Sequence, residues 1–316
     1  MAGSRLFGVV RLVVSLAIVA GLIYKLSPGD LRGTVRDADP WLLAAATALL
    51  AAVQLLVVLK WAALLRGRGV RPRAALLVRI FAQANLLTNI LPTGFGGDPY
   101  RVYRLQREAG ASAADVTMSV LFERATGYGA MTCFGALGAA FHYGNALAGL
   151  LALAAGVAGG GVLAFALPRM PVPAIRHDHP VRRVLASRAE MLMLYRMLVF
   201  SLVIQALYIS TIALTGGAFG IHLSWGYWAM TTWIVAVAVL APITLGGLGV
   251  RESSFAALVS RGGGTNVQGA AVGFSLAVML SVVSAGLLVG VEAAERLGYV
   301  RRPAAVPDAG AVEVRG

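Results

Sequence analysis

Apolar runs close to twenty residues long recur along this chain and limit what it can become. A helix needs about 20 apolar residues to cross the hydrocarbon core of a bilayer. The clear runs are Leu6–Leu26, Trp41–Leu65, Val116–Phe141, Ala146–Leu167, Met197–Phe219 and Val267–Val291. A soluble α/β protein with long buried strands mimics one such run, not six. Of the 316 residues, 58% are hydrophobic and 13% are charged, against about 25% charged in an ordinary soluble domain. The chain therefore reads as all-α, a polytopic helical membrane protein with about six full spans. No small-residue cleavage site follows the first run, so it reads as a retained span.

The net charge of +13 would suggest a nucleic-acid partner in a soluble protein. Here the basic residues sit in short loops between apolar runs, the pattern of orientation signals and anionic-lipid contacts. No nucleic acid is expected. The lone cysteine, Cys133, excludes an intrachain disulfide and a cysteine zinc cluster. His177-Asp178-His179 lies in a Pro-flanked basic loop with no further ligand nearby and reads as solvated. There is no zinc-protease, nucleophile-elbow or Walker motif, and no βαβ unit surrounds the Gly246–Gly249 cluster. Accordingly no catalytic residue, metal or cofactor is expected. The reading gives one transmembrane domain over 1–302 and a disordered tail over 303–316, rich in Ala, Pro and Gly.

Two further apolar segments are broken. Ala74–Leu91 is followed by a turn holding Pro92, Gly94, Gly96 and Gly97, then by Pro99–Arg107. Trp225–Leu240 is followed by Pro242, Gly246, Gly247 and Gly249, then by Val250–Ser260. Proline removes a backbone donor and glycine weakens a helix, so each helix should break there. Irregular backbone at membrane depth survives only where it is buried or lines a cavity. Two re-entrant helical hairpins are the natural expectation.

Charge sets the orientation. With a cytoplasmic N-terminus, Arg66, Arg68, Arg71 and Arg73 fall inside, and the first hairpin leaves from and returns to that side at Arg101, Arg104 and Arg107. Arg169, Arg176, Arg182, Arg183 and Arg188 also fall inside, and the chain ends inside near Arg296, Arg301 and Arg302. Outside, Lys25, Arg32 and Arg36 are balanced by Asp30, Asp37 and Asp39. The positive-inside rule holds throughout for a multi-pass protein of the cytoplasmic (inner) membrane with both termini cytoplasmic. Counting the second hairpin as a full span would put Arg301 and Arg302 outside.

Each half, about 1–142 and 143–300, then reads span, span, hairpin, span, and the halves start on opposite sides. That is an inverted repeat, an architecture typical of transporters with a site near the midplane. The candidate substrate-binding residues are Asn85 and Asn89, one helical turn apart, with Asp98, Arg101, Glu123, Arg124, Arg251 and Glu252. Charges at membrane depth are costly and face a cavity or one another. Asp98–Arg101 and Arg251–Glu252 equally suit pairs that fix each hairpin, and Arg101, Arg104 and Arg107 suit interfacial anchors. Glu123 and Arg124 point about 100° apart and call for partners on other elements. A helix starting after a glycine turn offers free N–H groups, so a phosphate beside Arg101 or Arg251 is a plausible guest.

The stretch from Asn89 through Pro92-Thr93-Gly94-Phe95-Gly96-Gly97-Asp98 to Arg101, with Ala241–Glu252 and the Glu123-Arg124 pair, resembles the transmembrane family of the lysylphosphatidylglycerol synthases, also described as flippase-like. The resemblance runs from about Leu6 to Arg296. It implies a lipid-translocating role. The expectation is a stand-alone member without the synthase domain, so synthase activity is not carried over. The leading function is a flippase or transporter for an anionic, aminoacylated or isoprenoid-linked lipid, and not an enzyme. The alternatives are an accessory subunit of an envelope-lipid or glycolipid pathway and, behind it, a membrane transferase. Expected partners are a membrane lipid with an anionic headgroup and, among proteins, further copies of the chain or pathway enzymes.

Overall fold

The computed structural model describes residues 28–90, 97–145, 147, 149–150, 187–240 and 247–299. Among these residues the chain is helical and holds no strand. The helices are α1 (Pro28–Arg36), α2 (Pro40–Gly67), α3 (Ala74–Ile90), α4 (Gly97–Ala109), α5 (Ala113–His142), α6 (Arg188–Ala218), α7 (Trp225–Leu240), α8 (Val250–Arg261) and α9 (Asn266–Arg296). The runs Leu6–Leu26 and Ala146–Leu167 lie wholly or mostly outside the described residues. So do Pro92, Gly94, Gly96, Pro242, Gly246, the His177–His179 loop, the 303–316 tail and the Asn89 side chain.

Polar residues just before the apolar runs start the long helices. The Asp39 carboxylate accepts from the amides of Trp41 (2.8 Å) and Leu42 (3.2 Å), with Pro40 in the first turn. Thr265 and Gln268 cap each other's amides at the start of α9. Helices α2, α6 and α9 contain 28, 31 and 31 residues and are apolar enough to cross a membrane. Helix α5 is 30 residues long, about 45 Å. Glu123, Arg124 and its glycines make it less apolar than those three. Leu55 and Leu59, Val199 and Val203, and Val278 and Val282 are exposed pairs one turn apart. Each is a lipid-facing stripe on a helix apolar all round.

The two broken segments form helical hairpins. In the first, the Gly97 amide donates to Thr88 Oγ1 (3.1 Å) and the Tyr100 hydroxyl to Gln83 Oε1 (2.8 Å), so α3 and α4 run antiparallel. In the second, the Tyr227 hydroxyl donates to the Leu258 carbonyl (2.7 Å), and Gly247 at φ 77° packs on Val239. A side chain at Gly247 would be strained by the backbone alone.

Contacts sort the helix ends into two groups. Arg68 reaches Asp115 (3.6 Å) and Glu190 (3.4 Å), gathering the end of α2 and the starts of α5 and α6. Arg79 pairs with Glu295, adding the outer part of α3 and the end of α9. At the other end, the Asp39 amide donates to the Ala218 carbonyl (2.9 Å) and Gln268 Nε2 to the Phe219 carbonyl (2.8 Å). His142 meets Tyr227 edge-on with ring centroids 4.9 Å apart. Hairpin α3–α4 therefore opens toward the arginine-rich end, and hairpin α7–α8 toward the opposite one.

Each half carries its own core. Val58, Trp61, Leu65, Leu77, Ile80 and Leu105 belong to the first. Ile209, Ile212, Trp228, Phe255, Val259 and Val272 belong to the second. The principal packing partners exchange onto themselves when α2–α5 are swapped for α6–α9. Helix α2 packs on α6, α3 on α9 as α7 on α5, and α4 on α5 as α8 on α9.

Candidate functional site

Between the two half-cores lies a cavity of about 360 Å³. It is lined from α2 by Gln54 and Lys60, from α3 by Asn85, from α5 by Glu123, Arg124 and Tyr128, from α6 by Gln205 and Tyr208, and from α8 by Arg251. The remaining wall is largely aliphatic.

Asn85, Glu123, Arg124 and Arg251 line this cavity, while Asp98, Arg101 and Glu252 stand behind it as their partners. Arg124 makes a bidentate bond to Asp98, Nε to Oδ2 at 3.0 Å and NH2 to Oδ1 at 3.0 Å. Such a fork fixes orientation as well as charge. Arg101 is only 2% exposed and pairs with Glu123, itself 7% exposed. The Arg101 guanidinium lies 4.0 Å from the Trp61 ring centroid and 5.3 Å from that of Phe81. Desolvated stacking of this kind contributes about 2 kcal/mol. Asp98–Arg101 is the longer contact, at 3.4 Å. The strong pairs thus run between α4 and α5 rather than along α4.

Three expectations change. Arg101 is no interfacial anchor: Gly97, Arg101 and Leu105 are buried at four-residue spacing, so Arg101 shares the inward stripe of α4. Arg104 and Arg107 leave that stripe, and Arg104 pairs with Glu108. Second, the N-terminus of α8 does not stand open for a phosphate. Glu252 Oε2 accepts the Gly249 amide at 2.6 Å, and its Oε1 holds Arg251 at 2.8 Å. The chain's own carboxylate occupies the positive end of the helix. Third, Asp98 in the first turn of α4 is taken up by Arg124 and Arg101 rather than left beside an open site.

Lys60 escaped the sequence reading. It is 3% exposed, and its ammonium donates to the Glu123 backbone carbonyl at 2.9 Å. The available signal was its solitude: it is the only basic residue within Trp41–Leu65, and one of two lysines among 27 basic residues. Gln54 and Gln205 were missed too. They face the cavity from α2 and α6, helices that pack together. The hairpin motifs also share a spacing, since Pro92, Gly96 and Arg101 match Pro242, Gly246 and Arg251 in their offsets.

Among the described residues no group of acidic, histidine or cysteine side chains could hold a metal. The arrangement offers paired charges, amides and phenols around a cavity inside an apolar bundle. Comparison with curated proteins finds no match. The model of the family described as "Lysylphosphatidylglycerol synthase TM region" matches residues 8–290, and the chain belongs to that family.

Proposed function

We propose that this protein is a lipid flippase or transporter that takes a polar headgroup into the central cavity and carries it between the faces of the cytoplasmic membrane. The observation that carries the reading is the cavity, lined by helices of both hairpins, with the hairpins opening toward opposite ends. A polar pocket inside an apolar helical bundle gives a headgroup a path that pure hydrocarbon denies it. The reading includes six spans: α2, α5, α6 and α9, with the apolar runs 6–26 and 146–167. It makes the hairpins re-entrant and the halves an inverted repeat, supported by packing partners that exchange between halves. The arginine-rich end, with Arg66, Arg68, Arg71 and Arg73, is cytoplasmic. The chain performs no covalent step, and its cargo is an anionic, aminoacylated or isoprenoid-linked lipid.

The test is a proteoliposome assay of headgroup accessibility, with purified protein and labelled lipids of each class. Faster transbilayer movement of one class, slowed by Arg251→Gln, is the expected result. Unchanged distribution of every lipid refutes transport.

A further inference from the structure

We infer that Lys60 is the binding group for a negatively charged phosphate, and that the cavity rejects headgroups of net positive charge. The inference rests on the proposed cavity being the headgroup site. Its basis is the charge at that site. Asp98 is engaged by Arg124, Glu123 by Arg101, and Glu252 by Arg251. Each carboxylate already holds an arginine. Lys60 adds a fourth cation and makes no salt bridge among the described residues; its bond goes to a neutral carbonyl. Among the described residues the cluster is one positive charge in excess.

A buried ammonium with one carbonyl is incompletely solvated: Glu123 attracts it, but that carboxylate is bonded to Arg101, and removing a charge from water without a counterion of its own costs several kcal/mol. An anion at Lys60 completes it. Two more groups at the same wall are short of partners among the described residues: Asn85 Nδ2 and Gln205 Oε1 are buried without a hydrogen bond there. The first can donate to a phosphate oxygen, and the second can accept from a headgroup hydroxyl. Leu50, Val53, Val57, Ile204 and Val235 give the rest of the wall an apolar character suited to the lipid body. A cationic headgroup would meet no free carboxylate there and would face Lys60, Arg124 and Arg251. The shared chemistry is an anionic phosphate, from a phosphodiester headgroup or from free phosphate.

Lipid binding to the full chain in neutral detergent, read by native mass spectrometry, tests this. The probes are phosphatidylglycerol, lysylphosphatidylglycerol and inorganic phosphate. Phosphatidylglycerol should bind about tenfold or more tighter than lysylphosphatidylglycerol. Lys60→Gln should weaken phosphatidylglycerol about 10- to 100-fold, the worth of one charge-assisted hydrogen bond, and erase the preference. Equal or tighter binding of lysylphosphatidylglycerol by the unaltered chain overturns the inference, and needs no variant to fold. So does a well-folded Lys60→Gln protein with unchanged affinity. Inorganic phosphate binding as tightly as phosphatidylglycerol overturns the lipid as its source. A chain that binds in the expected order and moves no lipid refutes transport alone. One that moves lysylphosphatidylglycerol refutes this inference alone.

Discussion

Replacing Arg101 by Met removes the cation that Glu123 faces and leaves a buried carboxylate at the bundle centre. Breaking a buried pair on one side costs about 3–5 kcal/mol, because one charge loses its compensation. The geometry here supports the upper part of that range: the two side chains are 2% and 7% exposed, and the guanidinium also stacks on Trp61. Glu123→Leu should cost less, since Arg101 keeps Asp98 at 3.4 Å. The double variant Arg101→Met/Glu123→Leu removes both charges and should cost less than the sum of the singles, for a coupling of about 2–3 kcal/mol. Reversible unfolding in mixed micelles, followed by tryptophan fluorescence, measures all four corners of the cycle. Single effects that add within about 0.5 kcal/mol would refute the argument. A coupling near the ~0.6 kcal/mol average for interhelical hydrogen bonds would mean that water in the cavity already screens the pair.

Gly97→Ala places a methyl 2.7 Å from Thr88 Oγ1 and against the Ala84 carbonyl, a backbone atom that cannot turn aside. It should cost about 1–3 kcal/mol in the same unfolding measurement, whereas Gly33→Ala, in open space, should be silent. In a Cys133→Ser background, single cysteines at Ala74 and Ala109 should react with an impermeant maleimide from one side of the membrane, and those at Ser224 and Arg261 from the other. Labelling of Ala74→Cys and Ala109→Cys from opposite sides would mean that α3–α4 crosses the bilayer rather than returning.

Helix positions were largely legible, because apolar length and Pro/Gly breaks act locally. Helix α8 begins at Val250, directly after Gly249 at φ 85°. The partners of the charges were harder to see. Asp98 and Arg101 stand at helical spacing and invite pairing with each other, yet each finds a better partner on α5. Only the crossing of α4 over α5 decides that, and no linear pattern encodes a crossing. Lys60 was hidden for a different reason. A single cation barely dents a long apolar run, and its exposure depends on which helices surround α2.

Helix α3 leans on α9 and α7 leans on α5, so each hairpin uses the closing helix of the other half as its bearing. The fit is close at α5, where Gly138 leaves no room for a methyl beside Met230 N at 2.9 Å. A hairpin swinging outward must drag or slide along a helix anchored in the opposite core. Under the proposed transport cycle, the motion of one gate would thereby be felt by the half that owns the other. Mechanical interlock of this kind gives a reason for the two gates to exclude each other, with no messenger beyond the contact itself.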